Sequence, residues 1–194
     1  RALHKAVSLG ADRSIHLTDD ALAGSDVVAT GYALAKVLER ENPDLVLLGQ
    51  QSDDGECYSV GAVVGQFLGR PSVTQVVKLD LAGSEITCER QAEYGYDTVK
   101  VTLPAVLSVG DAINEPRYPS LKAIMGAKKK PLETLSAADA GIDAAKVGAD
   151  GSNVRCGDFK APPQKEAGTI IEDEDTDATV AQIVAWLDER KLIA

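Results

Sequence analysis

The chain has 194 residues, 44% of them hydrophobic and 26% charged, enough apolar material for a real core and too much for a disordered or fibrous chain. Thirty acidic residues against 20 basic ones leave a net charge of −10, so no global basic field exists to hold a nucleic acid. No run of 18 uncharged apolar residues occurs, and strings such as Leu45–Leu48 have the length of a buried strand, far short of a bilayer span.

From Arg1 to Gly10 the chain reads as the apolar-periodic end of a helix stopped by glycine, with no cap before it. The expectation is an amino-terminal truncation, with any targeting signal outside view. Ser14–Thr18 follows a Gly-Ala-Asp turn as a short strand. Ser25 and Asp26 then cap a helix with apolar positions at Val28, Tyr32, Ala35 and Leu38, which Asn42-Pro43 ends. Asp44–Gly49 is a continuous apolar run of strand length, and a second helix is expected from about Gly55 to Leu68. Strand, helix, strand and helix in alternation predict an open parallel sheet wrapped by helices, because parallel strands need crossovers.

Val73–Leu81, Ile86–Gln91 and Tyr96–Val101 alternate instead, separated by Ala-Gly-Ser and Glu-Tyr-Gly turns, and predict antiparallel hairpins. Leu103–Val109 is a further apolar strand whose Pro104 must sit at its start or at a sheet edge. Leu121–Lys130 predicts a short helix. Pro131–Gly168, rich in Ala, Gly, Asp and Pro without a sustained period, reads as an extended arm. Ala178–Leu192 carries Val180, Ile183, Val184 and Leu187 at helical spacing and predicts a docking helix at the C-terminus. The fold class is thus α/β: an open, mainly parallel twisted sheet with flanking helices, an antiparallel hairpin region, and an extended arm ending in a helix. The domain reading is 1–130 for the α/β body, its amino-terminal part missing, and 131–194 for the arm and last helix.

Chemistry is concentrated in two stretches. The first is Gly49, Gln50, Gln51, Ser52, Asp53, Asp54, Gly55, Glu56, Cys57, Tyr58, Ser59 and Val60, which leaves the carboxyl end of a buried strand and enters a helix, the place where open α/β sheets bind ligands. Free amides at a helix start can take a phosphate, and Asp53 and Asp54 can take ribose hydroxyls. The stretch has neither a P-loop Gly-Lys-Ser/Thr nor Gly-x-Gly-x-x-Gly, and acids at a helix start are commonly plain caps. Gly61, Gly65 and Gly69, four apart, suit a close-packed helix face better than a ligand role. The second stretch is Asn114–Pro131, where Leu121, Ile124 and Met125 lie at helical spacing beside Lys122 and Lys128–Lys130. An apolar ridge flanked by cations on an acidic protein has the form of a docking anchor with steering charges, and equally that of a core-facing helix with solvated lysines.

Cys57, Cys88 and Cys156 show no zinc spacing and no even disulfide framework. His4 and His16 stand alone, and no triad, paired carboxylates or metal cluster supports a catalytic assignment. A nucleotide hydrolase would need a positioned base and a phosphate-metal set, and neither is found.

Asn114–Lys130, together with Gly10-Ala-Asp-Arg13, Leu103-Pro-Ala-Val106 and Arg90-x-x-Glu93 followed by Gly95 and Val99, closely resembles the electron-transfer flavoprotein beta subunit over nearly the whole chain. Tyr94 and Asp97 depart from the family's usual residues, Gln91 stands where some relatives have a glutamate paired with an alpha-subunit arginine, and Tyr58-Ser59-Val60 replaces an amide-rich triplet on the phosphate. The resemblance implies a Rossmann-like, adenine-nucleotide-binding subunit of a heterodimer whose alpha subunit carries the redox-active FAD. It implies AMP, or a second FAD in electron-bifurcating relatives, at Gly49–Val60. It also implies that Leu121 enters a pocket on acyl-CoA dehydrogenases, that the chain is an electron carrier without a substrate reaction of its own, and that it resides in a bacterial cytoplasm or a mitochondrial matrix. A stand-alone adenine-nucleotide-binding regulator, with Leu121 in its core, is the alternative.

Overall fold

A computed structural model describes every residue except Asp54, Cys156, Phe159, Glu166, residues 172–174 and Ala194. The chain divides into two units, Arg1–Cys156 and Gly157–Ala194. The first holds, in order, α1 (Ala2–Ser8), β1 (Ser14–Leu17), α2 (Val27–Glu41), β2 (Leu45–Gly49), α3 (Val60–Leu68), β3 (Ser72–Ala82), β4 (Glu85–Ala92), β5 (Gly95–Thr102), β6 (Ala105–Val109), α4 (Leu121–Ala127), β7 (Leu132–Leu135) and α5 (Gly148–Gly151). The second holds α6 (Thr176–Glu189), capped by the Asp175 carboxylate on the amides of Asp177 and Ala178, with Val180, Ile183, Val184 and Trp186 exposed.

β6 lies between β2 and β3 in a five-stranded sheet of order β2-β6-β3-β4-β5. Its neighbours β2 and β3 run parallel to it, and β3, β4 and β5 form an antiparallel meander turned at Gly83 and Gly95. Ala105, Val106, Leu107 and Ser108 are all buried, as a parallel strand covered on both faces requires. Ala105 and Leu107 join Val76, Ile86, Cys88 and Val101 in one cluster, while Val106 turns to the other face with Val46 and Val64 of α3. Pro104, after a cis bond, stands just ahead of the strand and so removes no ladder hydrogen bond. Three of the five strand pairings among the described residues are parallel, the mixed α/β class the sequence implies.

Small residues let the helices come close. A Cβ on Gly31 of α2 would stand 2.4 Å from Val63 Cγ1, and one on Gly65 of α3 would stand 2.8 Å from Ser72 Cβ and 3.2 Å from the Arg70 carbonyl. Gly61 likewise lies against Ser108 of β6. The glycine spacing of α3 is therefore a packing face, and Gly69, at φ +61°, ends the helix.

In three places the chain differs from its sequence reading. The second helix begins at Val60 rather than near Gly55, because Glu56 and Tyr58 take left-handed backbone conformations (φ 45° and 53°). β1 does not join the central sheet but pairs in parallel with β7. The stretch expected as an arm from Pro131 is folded as far as residue 154. Ala137, Ile142 and Val147 pack on Tyr32 and Ala33 of α2, and their spacing of five residues matches neither the helical nor the strand period, so no element was visible.

Asp26 ties that segment to α2. One carboxylate oxygen caps the helix by accepting from the amides of Val28 and Ala29, and the other accepts from those of Asn153 and Val154. Asp26→Ala is expected to lower the unfolding free energy by about 1–2 kcal/mol at neutral pH, measured by urea denaturation. These amides, that of Ala29 foremost, hold the carboxyl below its ordinary range. A depressed folded value means that the contribution is present above the unfolded value and is lost as pH falls through the folded one. The advantage over Asp26→Ala should therefore shrink in acid below about pH 4.

Candidate functional site

β2 ends at Gly49 beside Val109, the end of β6, and the chain then runs through residues 50–59 before α3. Gln50 reaches across to the neighbouring strand end, its Oε1 3.0 Å from where a Cβ on Gly110 would stand. Gln51, Ser52, Asp53, Gly55, Glu56, Cys57, Tyr58 and Ser59 are exposed. Val60 packs instead with Val46, Val64 and Val106, so its side chain belongs to the core. Asp54 lies outside the described residues. The Cys57 thiol points at the Gly55 carbonyl at 3.1 Å.

Ser59 occupies the N-cap of α3 but does not cap it. Its hydroxyl donates to the Cys57 carbonyl at 2.6 Å, and among the described residues no side chain accepts from the first amides of the helix. Those amides carry the positive end of the helix dipole and suit an anion. No lysine or arginine stands between residues 49 and 60, so a phosphate here would be met by backbone amides, and Asp53 by ribose hydroxyls rather than by phosphate. That donor set suits a phosphate and a ribose.

Beside the loop lies a cleft of about 340 Å³ lined by Gln50, Tyr58, Gln75, Gln91, Ala92 and Glu93. A neighbouring hollow of about 300 Å³ shares Gln75 and Gln91 and adds Thr74, Arg90 and Tyr94. Gln75 sits in a bulge of β3 at φ 58°, its amide donating to Ser108 Oγ at 3.3 Å. Arg90 pairs with Asp97 at 3.1 Å across β4 and β5, Tyr94 donates its hydroxyl to the same carboxylate, and the buried Arg90 Nε has no partner among the described residues. His4 and His16 are exposed, and Cys88 is in the core, where burial pushes its thiol up. Among the described residues, no group of three or more His, Cys, Asp or Glu could hold a metal ion. No described helix is long and apolar enough to cross a membrane.

The second candidate region, α4, has its polarity inverted. Ser120 caps it by accepting from the Ala123 amide, and the helix rests on α1. Its one buried residue is Ala127, while Leu121 is 74% exposed, Met125 64% and Ile124 45%. Lys122, Lys128 and Lys129 are exposed around them. The core-facing reading of this ridge fails: the large apolar groups face water and an alanine faces the protein.

The model of the family described as the electron transfer flavoprotein domain matches residues 1–140. Electron transfer flavoprotein subunit beta of Mycobacterium tuberculosis is 43% identical over 195 residues, covering 99% of this chain and 72% of the relative. The Megasphaera elsdenii subunit is 32% identical with 98% and 74% covered, and that of Bos taurus 36% identical with 96% and 69% covered. The chain belongs to the electron transfer flavoprotein family, as a beta subunit. In this member of the family, sequence reasoning brought out the loop and the ridge but missed the bulge at Gln75 and the clustering of Gln50, Gln75 and Gln91. Isolated glutamines far apart in the chain carry no signal; the pairing of β2 and β3 on either side of β6, and of β4 on β3, brings them together.

An exposed Leu121 makes a sharp stability prediction. Leu121→Ala should change the unfolding free energy by less than about 0.5 kcal/mol, whereas Leu→Ala in a core costs about 2–5 kcal/mol. Thermal and urea denaturation of the two proteins decide between them.

Proposed function

We propose that this chain pairs with an alpha subunit carrying FAD, binds an adenine nucleotide at Gly49–Val60, and docks through Leu121 on dehydrogenases such as acyl-CoA dehydrogenases to relay their electrons. The observation that carries the docking half is the outward ridge of Leu121, Ile124 and Met125 on a helix that buries only an alanine. Exposed apolar groups ringed by cations support a partner-binding anchor. They disfavour the alternative of a stand-alone nucleotide-binding regulator with Leu121 in its core.

Flavin, when bound mainly by the alpha subunit, supplies the redox chemistry. The residues of this chain bind and orient. The uncapped amides of α3 take the phosphate of an AMP, Asp53 and the loop backbone take its ribose, and the same site would hold the adenosine part of a second FAD in a bifurcating carrier. The apolar residues of α6, with the chain preceding it, lie along the alpha subunit. Bacterial cytoplasm or mitochondrial matrix is the setting in which such a carrier works.

The test uses the heterodimer and an acyl-CoA dehydrogenase reduced by its acyl-CoA substrate. Leu121→Ala should weaken docking by about 2 kcal/mol, roughly a 30-fold rise in Kd, with matched loss of electron transfer at subsaturating carrier. Unchanged affinity and rate would overturn the docking role. Binding of the native carrier should also slow as salt rises, since Lys122, Lys128 and Lys129 act through screened charge.

A further inference from the structure

α4 has little to hold it in place. A seven-residue helix is marginal by itself, its large apolar residues face solvent, and Ala127 is its one buried side chain. A hot-spot anchor on such an element gains affinity only when it is held in its bound orientation beforehand. The restraint comes from both flanks. α1 ends in a Schellman arrangement, with the amides of Gly10 and Ala11 returning to the carbonyls of Val7 and Ala6. The carbonyls of Leu9 and Ala11, which that turn leaves pointing outward, are taken by Arg117, four residues before Leu121, and by Lys130, just beyond the helix. Arg117 Nη2 donates to the Leu9 carbonyl. Lys130 Nζ donates to the Ala11 carbonyl at 2.7 Å and stands 3.8 Å from Asp12.

The geometry points to Arg117 and Lys130 as positioning residues, a two-point clamp that fastens the docking helix to the carboxyl end of α1 and so presents Leu121, Ile124 and Met125 in a fixed orientation. Each bond is charge-assisted, and the one to Leu9, the C-cap of α1, is aimed at the negative end of a helix dipole, where cations are favoured. Gly10 completes the device, because a Cβ there would stand 3.1 Å from Arg117 Nη2. The lysine run is thereby divided by role: Lys130 is a strut, and Lys128 and Lys129 face the solvent.

The clamp affects partner binding only through the docking role proposed above for Leu121, whereas its effect on the order of α4 does not depend on that role. Hydrogen exchange of the heterodimer, with β6 amides as a folding control, therefore accompanies affinity for a reduced acyl-CoA dehydrogenase. Arg117→Gln and Lys130→Gln should each speed exchange in α4 about three- to tenfold, as expected for a partly exposed charged hydrogen bond, and weaken dehydrogenase binding. Lys130→Arg should restore both. Lys128→Gln and Lys129→Gln remove the same charge and should leave α4 exchange unchanged. Unaltered exchange in both clamp variants, with Leu121→Ala still weakening binding, would overturn the clamp and leave the docking role standing. Faster exchange with binding insensitive to Arg117, Lys130 and Leu121 alike would overturn the positioning role together with docking.

Discussion

The close approach of α3 to the central strands is the constraint on which the first unit depends. Gly61 lies against Ser108, Gly65 against Ser72, and Gly31 of α2 leaves room for Val63. Side chains at these positions would push the helices off the sheet and open the face on which Val46, Val64 and Val106 close. Interiors packed to crystal density do not absorb such a displacement smoothly. The same contact fixes where α3 starts, and hence where residues 50–59 must cross from β2. The left-handed Glu56 and Tyr58 let that crossing end at Val60, with the first amides of the helix left without a cap from Ser59. The exposed helix start at the end of the loop is thus a consequence of the packing behind it.

α4 solves a different problem. The docking proposed for α4 asks a helix to offer its apolar side chains to another protein without using them to hold itself down. In this chain the two tasks are separated: Ala127 and the polar flanks attach the helix, and Leu121, Ile124 and Met125 remain outside. Cations aimed at carbonyls suit such an attachment, because they keep the body of the helix free of bulky contacts. The overall negative charge of the chain leaves the lysines around the ridge as a local field of opposite sign, suited to steering an acidic partner surface.

Much of this was legible in the sequence. Asp44–Gly49 announced a strand by its continuous apolar run, though not a buried one, since β2 stands at the sheet edge with Leu47 55% exposed; the Gly-Ser and Tyr-Gly turns announced the meander, and Pro104 had to stand at the margin of β6. Gly49–Val60 was legible as a candidate because it leaves a strand and enters a helix. Its exact form was not, since a helix start depends on whether Glu56 and Tyr58 accept left-handed geometry, and neither residue type signals that choice. The folded part of 131–154 was hidden because Ala137, Ile142 and Val147 reach α2 at a spacing of five, the period of neither a helix nor a strand. For Leu121 the pattern was ambiguous in principle: apolar residues at helical spacing describe a face without saying whether that face meets the core or the solvent. Arg117 and Lys130 looked like ordinary surface charges because their partners are backbone carbonyls, which every residue possesses.

The measurement that bears most directly on the account is the cofactor content of the chain purified together with its alpha partner, read from the visible spectrum and from FAD and AMP released on denaturation. The account predicts a stable heterodimer with one FAD and one AMP; two FAD without AMP would place the chain among bifurcating carriers. Failure to find a flavin-bearing partner, with no nucleotide retained at Gly49–Val60, would contradict it.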